Sequence, residues 1–241
     1  MLRSLVRRSV AEALGTALLL AAVLGSGIMA QRLSGGNVAI ALLANSIATG
    51  GVLMCLIAAL GPISGAHFNP AVTLCDAWQK GLPWREVPVY VGAQIAGALA
   101  GTAAANLMFG LPIFFVSHRV RTGGAVWLGE FVATFGLLAV IWGCVRFKNG
   151  FVPFAVAGYI VGAYWFTSST SFANPAVAIA RSLSDTFAGI RPIDVPMFIV
   201  MQLLGALAAT AVFAWIAPIE RRDAEAVLLP HDLSEASRRV G

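Results

Sequence analysis

Long apolar stretches dominate the chain. Six of them run over about residues 13–30, 37–60, 88–108, 125–145, 151–171 and 196–217. Each is close to the roughly 20 residues that a helix needs to cross a bilayer, and Glu130 is the only formally charged residue among them. None alternates with period two, as the strands of a membrane barrel would. The pattern predicts an all-α membrane protein with six transmembrane helices.

Two shorter segments, residues 61–80 and 167–185, have a different character. Both contain the tripeptide Asn-Pro-Ala, as Asn69, Pro70 and Ala71 in the first and Asn174, Pro175 and Ala176 in the second. Proline fits the first turn of a helix, where its missing N–H costs nothing, and asparagine is a favourable N-cap. Each segment therefore predicts a polar re-entrant loop followed by a half-helix. Such loops are tolerated at membrane depth only where they are buried or line a wet cavity.

The same order of residues occurs twice. Glu12, the first Asn-Pro-Ala and Gln94 are followed by Glu130, the second Asn-Pro-Ala and Gln202. Each set accompanies three spans, and an odd number makes the second half enter the membrane from the opposite side. We therefore predict an inverted repeat within one membrane domain over 1–217, with repeats over about 10–110 and 124–217. Its site is expected near the midplane, between the halves.

The meeting point of the two half-helices is the first candidate site. Each helix N-terminus carries roughly +0.5 of an elementary charge, so the pair would repel cations. The side-chain amides of Asn69 and Asn174 would offer hydrogen-bond donors to a neutral solute.

Composition and charge agree with a membrane location. The chain is 59% hydrophobic and 11% charged, whereas soluble domains are about 25% charged. Its net charge of +5 comes without a basic run interleaved with aromatic residues. The excess thus indicates orientation in a membrane and not nucleic-acid binding.

The distribution of basic residues predicts that orientation. Eleven of the sixteen would share the side of the N-terminus, namely Arg3, Arg7, Arg8, Lys80, Arg85, Arg146, Lys148, Arg221, Arg222, Arg238 and Arg239. The other five are Arg32, Arg119, Arg121, Arg181 and Arg191. This bias predicts a multi-pass protein with both termini in the cytoplasm. The first apolar run is longer than a signal peptide's, so we expect an uncleaved span, and residues 218–241 a solvated cytoplasmic tail.

No pattern indicates catalysis or a metal site. Cys55, Cys75 and Cys144 form no CxxC pair and lie in apolar stretches, which favours small buried side chains over a disulfide framework or zinc site. No nucleophile–base pair is recognisable. We expect neither an enzyme nor a bound cofactor.

The segments SGAHFNPAV and TSFANPAV, with the two glutamates and two glutamines, closely resemble the aquaporin (major intrinsic protein) family over about residues 10–217. The resemblance implies six tilted helices plus two re-entrant half-helices, in a homotetramer with a pore in every protomer. It implies passive passage of water or small neutral solutes across the cell (inner) membrane.

The resemblance also assigns roles to single residues. Glu12 and Glu130 would hold the re-entrant loops through backbone hydrogen bonds, although Glu12 could instead be a first-turn carboxylate near the interface. His67 would line the cytoplasmic side of the pore, unless it is a structural histidine.

Counting from the motifs as in the family places the selectivity filter at Thr49, Gly162, Ser171 and Val177. Most relatives have arginine where Val177 stands, so this filter is expected to be small and without a fixed charge. Arg181 lies one turn further along the same face. It is either a displaced vestibule cation or an interfacial anchor at a helix end.

An uncharged, wide filter favours solutes larger than water. Arginine-less members resemble the bacterial aquaglyceroporin branch (the AqpS type) whose genes accompany arsenic-resistance genes. That likeness implies arsenous acid, antimonous acid and methylated arsenicals as permeants, together with glycerol and water. A general water and glycerol facilitator is the alternative. A proton-coupled secondary transporter would want a titratable group at the midplane, which the asparagine pair does not supply.

Overall fold

The computed structural model describes residues 4–218, and all regular structure within that range is helical. The helices are α1 Leu5–Leu33, α2 Val38–Ser64, α3 Pro70–Trp78, α4 Val87–Met108, α5 Gly124–Phe147, α6 Val152–Phe166, α7 Pro175–Arg181 and α8 Val195–Ile216. Short 3-10 turns precede α4, α6 and α8. The six apolar helices and two half-helices match the predicted fold. The tail predicted over 218–241 lies, beyond its first residue, outside the described residues.

Five helices are long and apolar enough to cross a membrane by length and composition, and α6 is a shorter apolar helix. The sequence predicts a span over 151–171, but α6 ends at Phe166. The reason is the polar loop that follows: Thr170, Ser171 and Ala173 take positive φ angles of 62°, 49° and 49°, which helices do not accommodate. With 15 residues, α6 is about 22 Å long.

The half-helices begin as predicted, at Asn69 and Asn174. Asn69 Oδ1 accepts a hydrogen bond from the N–H of Ala71 at 2.9 Å. Asn174 Oδ1 accepts from the N–H of Ala176 at 3.0 Å and of Val177 at 3.3 Å. Because each cap satisfies N–H groups that have no partner inside the helix, α3 and α7 start without unpaired backbone donors at these positions.

Glycines bring two helix pairs into backbone contact, one pair in each half. A Cβ on Gly97 of α4 would collide with the carbonyl oxygen of Ala13 on α1. A Cβ on Gly205 of α8 would collide with the carbonyl oxygen of Phe131 on α5. Such close approach of small residues is typical of helix packing in membranes. The α1–α4 and α5–α8 pairs are therefore equivalent, as an inverted repeat requires.

Two details differ from the expectation of buried cysteines. Cys75 is buried, Cys144 is half-buried and Cys55 is exposed on the outer face of α2. In a bilayer an apolar thiol on that face needs no protein partner.

Candidate functional site

Glu12 holds the first re-entrant loop. Its carboxylate is fully buried and accepts from the backbone N–H groups of His67 at 3.0 Å and Phe68 at 2.7 Å. It also accepts from the Ser64 hydroxyl at 2.6 Å and the Gln94 amide at 2.8 Å. Four charge-assisted bonds satisfy a carboxylate that would be costly at this depth. This arrangement excludes the alternative of a first-turn carboxylate near the interface.

Glu130 makes the equivalent contacts in the second half. Its carboxylate accepts from the N–H groups of Phe172 at 2.9 Å and Ala173 at 3.0 Å, and from the Gln202 amide at 2.5 Å. In both halves the bonded N–H groups belong to the two residues before the asparagine. The four bonded residues thus occupy equivalent positions in the repeat.

The loops are held in an unusual backbone conformation. Ala66 and Phe68 have φ angles of 50° and 48°, and the equivalent Ser171 and Ala173 both have 49°. Residues with side chains rarely adopt this left-handed region, and doing so costs roughly 1–3 kcal/mol each. The strain persists because the buried glutamates fix the N–H groups beside it.

The two asparagines join the halves to each other. Asn69 Nδ2 donates to the carbonyl oxygen of Ala173, and Asn174 Nδ2 donates to that of Phe68, both at 2.7 Å. An amide nitrogen carries two hydrogens, so these bonds occupy one donor of each side chain. Both asparagines also line the central cavity, where the second hydrogen is available to a solute.

That cavity has a volume of about 90 Å³ and passes between the two half-helices. Most of its wall is apolar and consists of residues spaced four apart, which lie on one face of a helix: Leu19 and Val23 on α1; Thr49, Leu53 and Ile57 on α2; Leu137 and Ile141 on α5; and Val152, Val156, Ile160 and Tyr164 on α6, with Thr49 and Tyr164 adding hydroxyls. The two loops and the first turns of α3 and α7 complete it.

Gly162 does not line this cavity, contrary to the sequence interpretation. It is exposed on α6, and a Cβ built on it would meet no atom within 4 Å. It lies two residues from both Ile160 and Tyr164, which corresponds to about 200° around a helix. The twelve residues counted back from Asn174 include the irregular segment between α6 and α7, so the count does not determine which face of α6 a residue occupies.

Thr49, Ser171 and Val177 do line the cavity, together with Tyr164. The Thr49 hydroxyl lies 3.3 Å from the Tyr164 hydroxyl. The Ser171 hydroxyl is buried and has no hydrogen-bond partner among the described residues. An unpaired buried hydroxyl is costly unless something else satisfies it, and in this position it faces the route a solute would take.

Arg181 lies inside the protein and not at an interface. It is 2% exposed, its Nε donates to the carbonyl oxygen of Ala188, and its guanidinium carbon lies 3.3 Å from the centre of the Phe172 ring. It lines the same cavity as Val177. The alternative of an interfacial anchor is thus wrong, whereas Thr49, Ser171 and Val177, the filter positions that line the cavity, carry no fixed charge themselves.

A second cavity of about 280 Å³ opens beside the first, and we call it the arginine vestibule. It is lined by Val38, Leu42, Asn45, Arg119, Val120, Arg121, Thr122, Val126, Ser168, Thr170, Arg181 and Phe187. Arg181 borders both cavities. Arg121 is fixed by bonds from Nε to the carbonyl oxygen of Gly189 at 2.7 Å and from Nη1 to that of Ser169 at 3.1 Å.

His67 lies on the wall of the central cavity, at the end away from the arginine vestibule. Its Nδ1 is 3.1 Å from the Thr73 hydroxyl, and its Nε2 is 3.6 Å from the carboxylate of Asp76. The ring thus borders the cavity while packing against buried polar groups. Among the described residues, no group of three or more His, Cys, Asp or Glu could hold a metal ion.

Sequence reasoning missed Tyr164 and Arg121. The spacing of Val152, Val156, Ile160 and Tyr164 was a signal for Tyr164, because a row of residues four apart marks one helix face. No comparable signal existed for Arg121. It lies in an irregular connection, and its contacts come from segments 48 and 68 residues further along the chain.

Comparison with known proteins relates this geometry to function. Residues 2–170 match the family described as Major intrinsic protein. The Aquaglyceroporin AqpS of Rhizobium meliloti (strain 1021) is 58% identical over 212 residues, which cover 88% of this chain and 91% of that protein. Aquaporin NIP1-1 of Oryza sativa subsp. japonica is 33% identical over 212 residues, covering 84% of this chain and 72% of the relative.

A solved structure has the same fold. The X-ray structure of the aquaglyceroporin from Plasmodium falciparum superposes with a TM-score of 0.67, covering 88% of this chain and 97% of that one, at 20% sequence identity. At this identity the likeness concerns the fold alone.

Proposed function

The chain belongs to the major intrinsic protein family and is a membrane channel for small solutes, not an enzyme; on this premise we propose that it passes arsenous acid, antimonous acid and methylated arsenicals as well as glycerol and water. The observation that carries the proposal is the wall of the central cavity. Val177 stands where most of the family has arginine, and the free Ser171 hydroxyl faces the same space.

The polar groups of this wall suit an uncharged solute with several hydroxyls. One side of the route is aliphatic, and the other offers the Ser171 hydroxyl and the amide hydrogens of Asn69 and Asn174. A hydroxyl can both donate and accept, so it can exchange bonds with each of these groups in turn. Arsenous acid is an uncharged triol at neutral pH and resembles glycerol in this respect.

Exclusion of ions has two sources in this proposal. The N-termini of α3 and α7 direct partial positive charge at the centre of the route. Arg181 adds a full positive charge where the central cavity meets the arginine vestibule. Arg181 thus acts as a displaced vestibule cation and leaves the space beside Val177 free for larger neutral molecules.

The proposed channel also assigns roles to the filter residues, the two buried glutamates and His67. Thr49, Ser171 and Val177 form the filter with Tyr164, which takes the place predicted for Gly162. Glu12 and Glu130 support the loops, and His67 lines the opposite end of the pore.

We place the protein in the bacterial inner membrane with both termini in the cytoplasm. Arg8 pairs with Glu86 at 2.6 Å, and Arg146 donates to the Gln79 side chain at 2.7 Å. These basic residues gather at one end of the bundle, whereas Arg119, Arg121 and Arg181 gather at the other. The end with Arg8 and Arg146 is the one to which the sequence assigns eleven of the sixteen basic residues, and the larger basic group marks the cytoplasmic side. A homotetramer, typical of the family, is the proposed assembly.

Solute uptake by proteoliposomes tests the proposal. Purified protein is reconstituted, and the swelling rate is measured by light scattering with glycerol, arsenous acid or a methylated arsenical outside. We expect each rate to exceed that of empty liposomes and to stay constant under an imposed pH gradient. Water flux without arsenical flux would favour the general water and glycerol facilitator, and flux that follows the pH gradient would favour a proton-coupled transporter.

A further inference from the structure

The arginine vestibule contains three guanidinium groups around one space of about 280 Å³. They belong to Arg119, Arg121 and Arg181, which come from the segment before α5 and from the end of α7. Its remaining lining is neutral. The vestibule is therefore a concentrated patch of positive charge at the mouth of a route for neutral solutes.

No carboxylate among residues 4–218 forms an ion pair with these three arginines. The nearby Asp194 pairs with Arg191 at 3.0 Å and accepts the backbone N–H of Arg121, not its side chain. Asp185 pairs with His118 at 3.2 Å. Like charges in one cavity repel each other, and a protein normally compensates them with a counter-charge.

The donors are only partly used. Among the described residues, the single hydrogen bond of the Arg181 guanidinium runs from Nε to Ala188, although the side chain is almost completely buried. Its two terminal nitrogens have no acceptor within residues 4–218, and the residue borders the vestibule. The Arg119 side chain makes no hydrogen bond to any of the described residues, and its guanidinium carbon lies 5.4 Å from the centre of the Phe187 ring. Free N–H groups thus face the cavity from two sides.

We propose that the arginine vestibule binds a small inorganic oxyanion, of the size and charge of phosphate or sulfate, from the surrounding medium. Planar guanidinium groups bind such anions through paired, charge-assisted hydrogen bonds. The vestibule has room for one such ion, and the bound ion supplies a counter-charge in direct contact with the arginines, which Glu130 attracts without forming an ion pair. Because Arg181 borders both cavities, the ion lies over the entrance to the central cavity and slows the passage of neutral solutes.

Calorimetric titration tests the binding directly. Phosphate is added to the purified protein in phosphatidylcholine nanodiscs at constant ionic strength. We expect saturable binding of one phosphate per protomer and roughly tenfold weaker binding in Arg119→Gln. Arg119 is exposed, so this variant should fold. The matched control is Arg32→Gln, which removes the same charge from an exposed arginine that bonds Phe109 outside the vestibule. No saturable binding, or equal losses in both variants, would overturn the proposal.

Transport measurements test the obstruction, which rests on the proposed route for solutes. Glycerol uptake by proteoliposomes is followed with and without phosphate in the external medium. We expect external phosphate to lower the rate in the parent and in Arg32→Gln but to change it much less in Arg119→Gln. Binding with unaltered uptake would disprove the obstruction. Absence of glycerol uptake without phosphate would instead count against the proposed function, and the calorimetry would still report on the anion site.

Discussion

Arg181 lies one helical turn beyond Val177, and both side chains line the central cavity. The positive charge of the route is therefore shifted along α7, not removed. An aliphatic side chain occupies the position nearer the asparagines. In the proposed channel, charge and width are therefore set by two different residues, and substitutions can separate them.

Val177→Arg is expected to slow the larger solutes, methylated arsenicals most, arsenous acid less and water least. Arg181 already supplies a positive charge, so the main effect of a second arginine is steric. Uptake of each solute, corrected for the amount of protein, measures it, and Val177→Met controls for side-chain length without charge. Unchanged flux of the largest solute in Val177→Arg would show that position 177 does not limit size.

Arg181→Met is expected to raise leakage of protons and cations while neutral solutes still pass. A unit charge about 4 Å from a permeating ion is worth on the order of 4 kcal/mol at an effective dielectric constant of 20, and removing it lowers the barrier by up to this amount. Proton entry into vesicles, followed with a trapped pH dye, measures the leak. Arg181→Lys keeps the charge and should not increase the leak of protons and cations. Equal leakage from both variants would contradict the role of Arg181 in excluding cations.

Asn174→Leu is expected to cut solute flux and to destabilise the protein. Leucine fills the centre of the route, removes the N-cap of α7, and leaves the carbonyl oxygen of Phe68 without its donor. An unpaired buried group costs about 1–3 kcal/mol. Asn174→Ser preserves a capping hydroxyl without adding bulk, so its flux per folded protomer should fall less. The corresponding variants of Asn69 should behave alike, and unaltered flux in Asn174→Leu would remove the pair from the mechanism.

Glu130→Leu is expected to lower the yield of folded protein and of tetramers. The substitution leaves three buried donors without an acceptor: the N–H groups of Phe172 and Ala173 and the amide of Gln202. Each unpaired group lowers the stability of the folded protein by about 1–3 kcal/mol. Glu130→Gln retains one acceptor oxygen and should be less harmful. Size-exclusion chromatography in detergent measures the amount of folded tetramer, and a thermal unfolding scan measures its stability. A leucine variant as stable as the parent would refute the loop-holding role.

Gly97→Ala is expected to destabilise the α1–α4 contact by about 1–3 kcal/mol, because its methyl group would collide with the carbonyl oxygen of Ala13. Gly92→Ala is the matched control in the same helix: it is exposed and has no atom within 4 Å of the added Cβ. That change should be neutral or slightly stabilising. The shift in unfolding temperature distinguishes the two, and equal shifts would contradict the close packing.

The residues that were predictable from sequence are those with a fixed local signature. Asn-Pro-Ala defines a capped helix start through bonds within three residues, so both half-helices begin where expected. The repeated glutamates stood out because charge inside an apolar span is costly. Their bonded partners, such as Phe68 and Ala173, lie 56 and 43 residues away in sequence and were expected only through the family resemblance.

Residues whose placement depends on loop length and tertiary packing were harder to predict from the sequence. Gly162 was misplaced because its distance from Asn174 includes an irregular loop, whereas the four-residue spacing within α6 identifies Tyr164. The sequence left the location of Arg181 open, because a basic residue at a helix end can be either exposed or buried. Only the fold shows that Phe172 and Ala188 enclose it.

The hydrogen bond that Asn69 donates to the carbonyl oxygen of Ala173 has a consequence for synthesis. The partners are 104 residues apart, which a ribosome adding about 5–20 residues per second covers in roughly 5–20 s. During this interval the first re-entrant loop has Glu12 to hold it but no opposing half to close against. The first repeat is therefore in the membrane for several seconds while its polar loop lacks its partner from the second repeat. The cavity between the halves forms only after the second repeat has been synthesised.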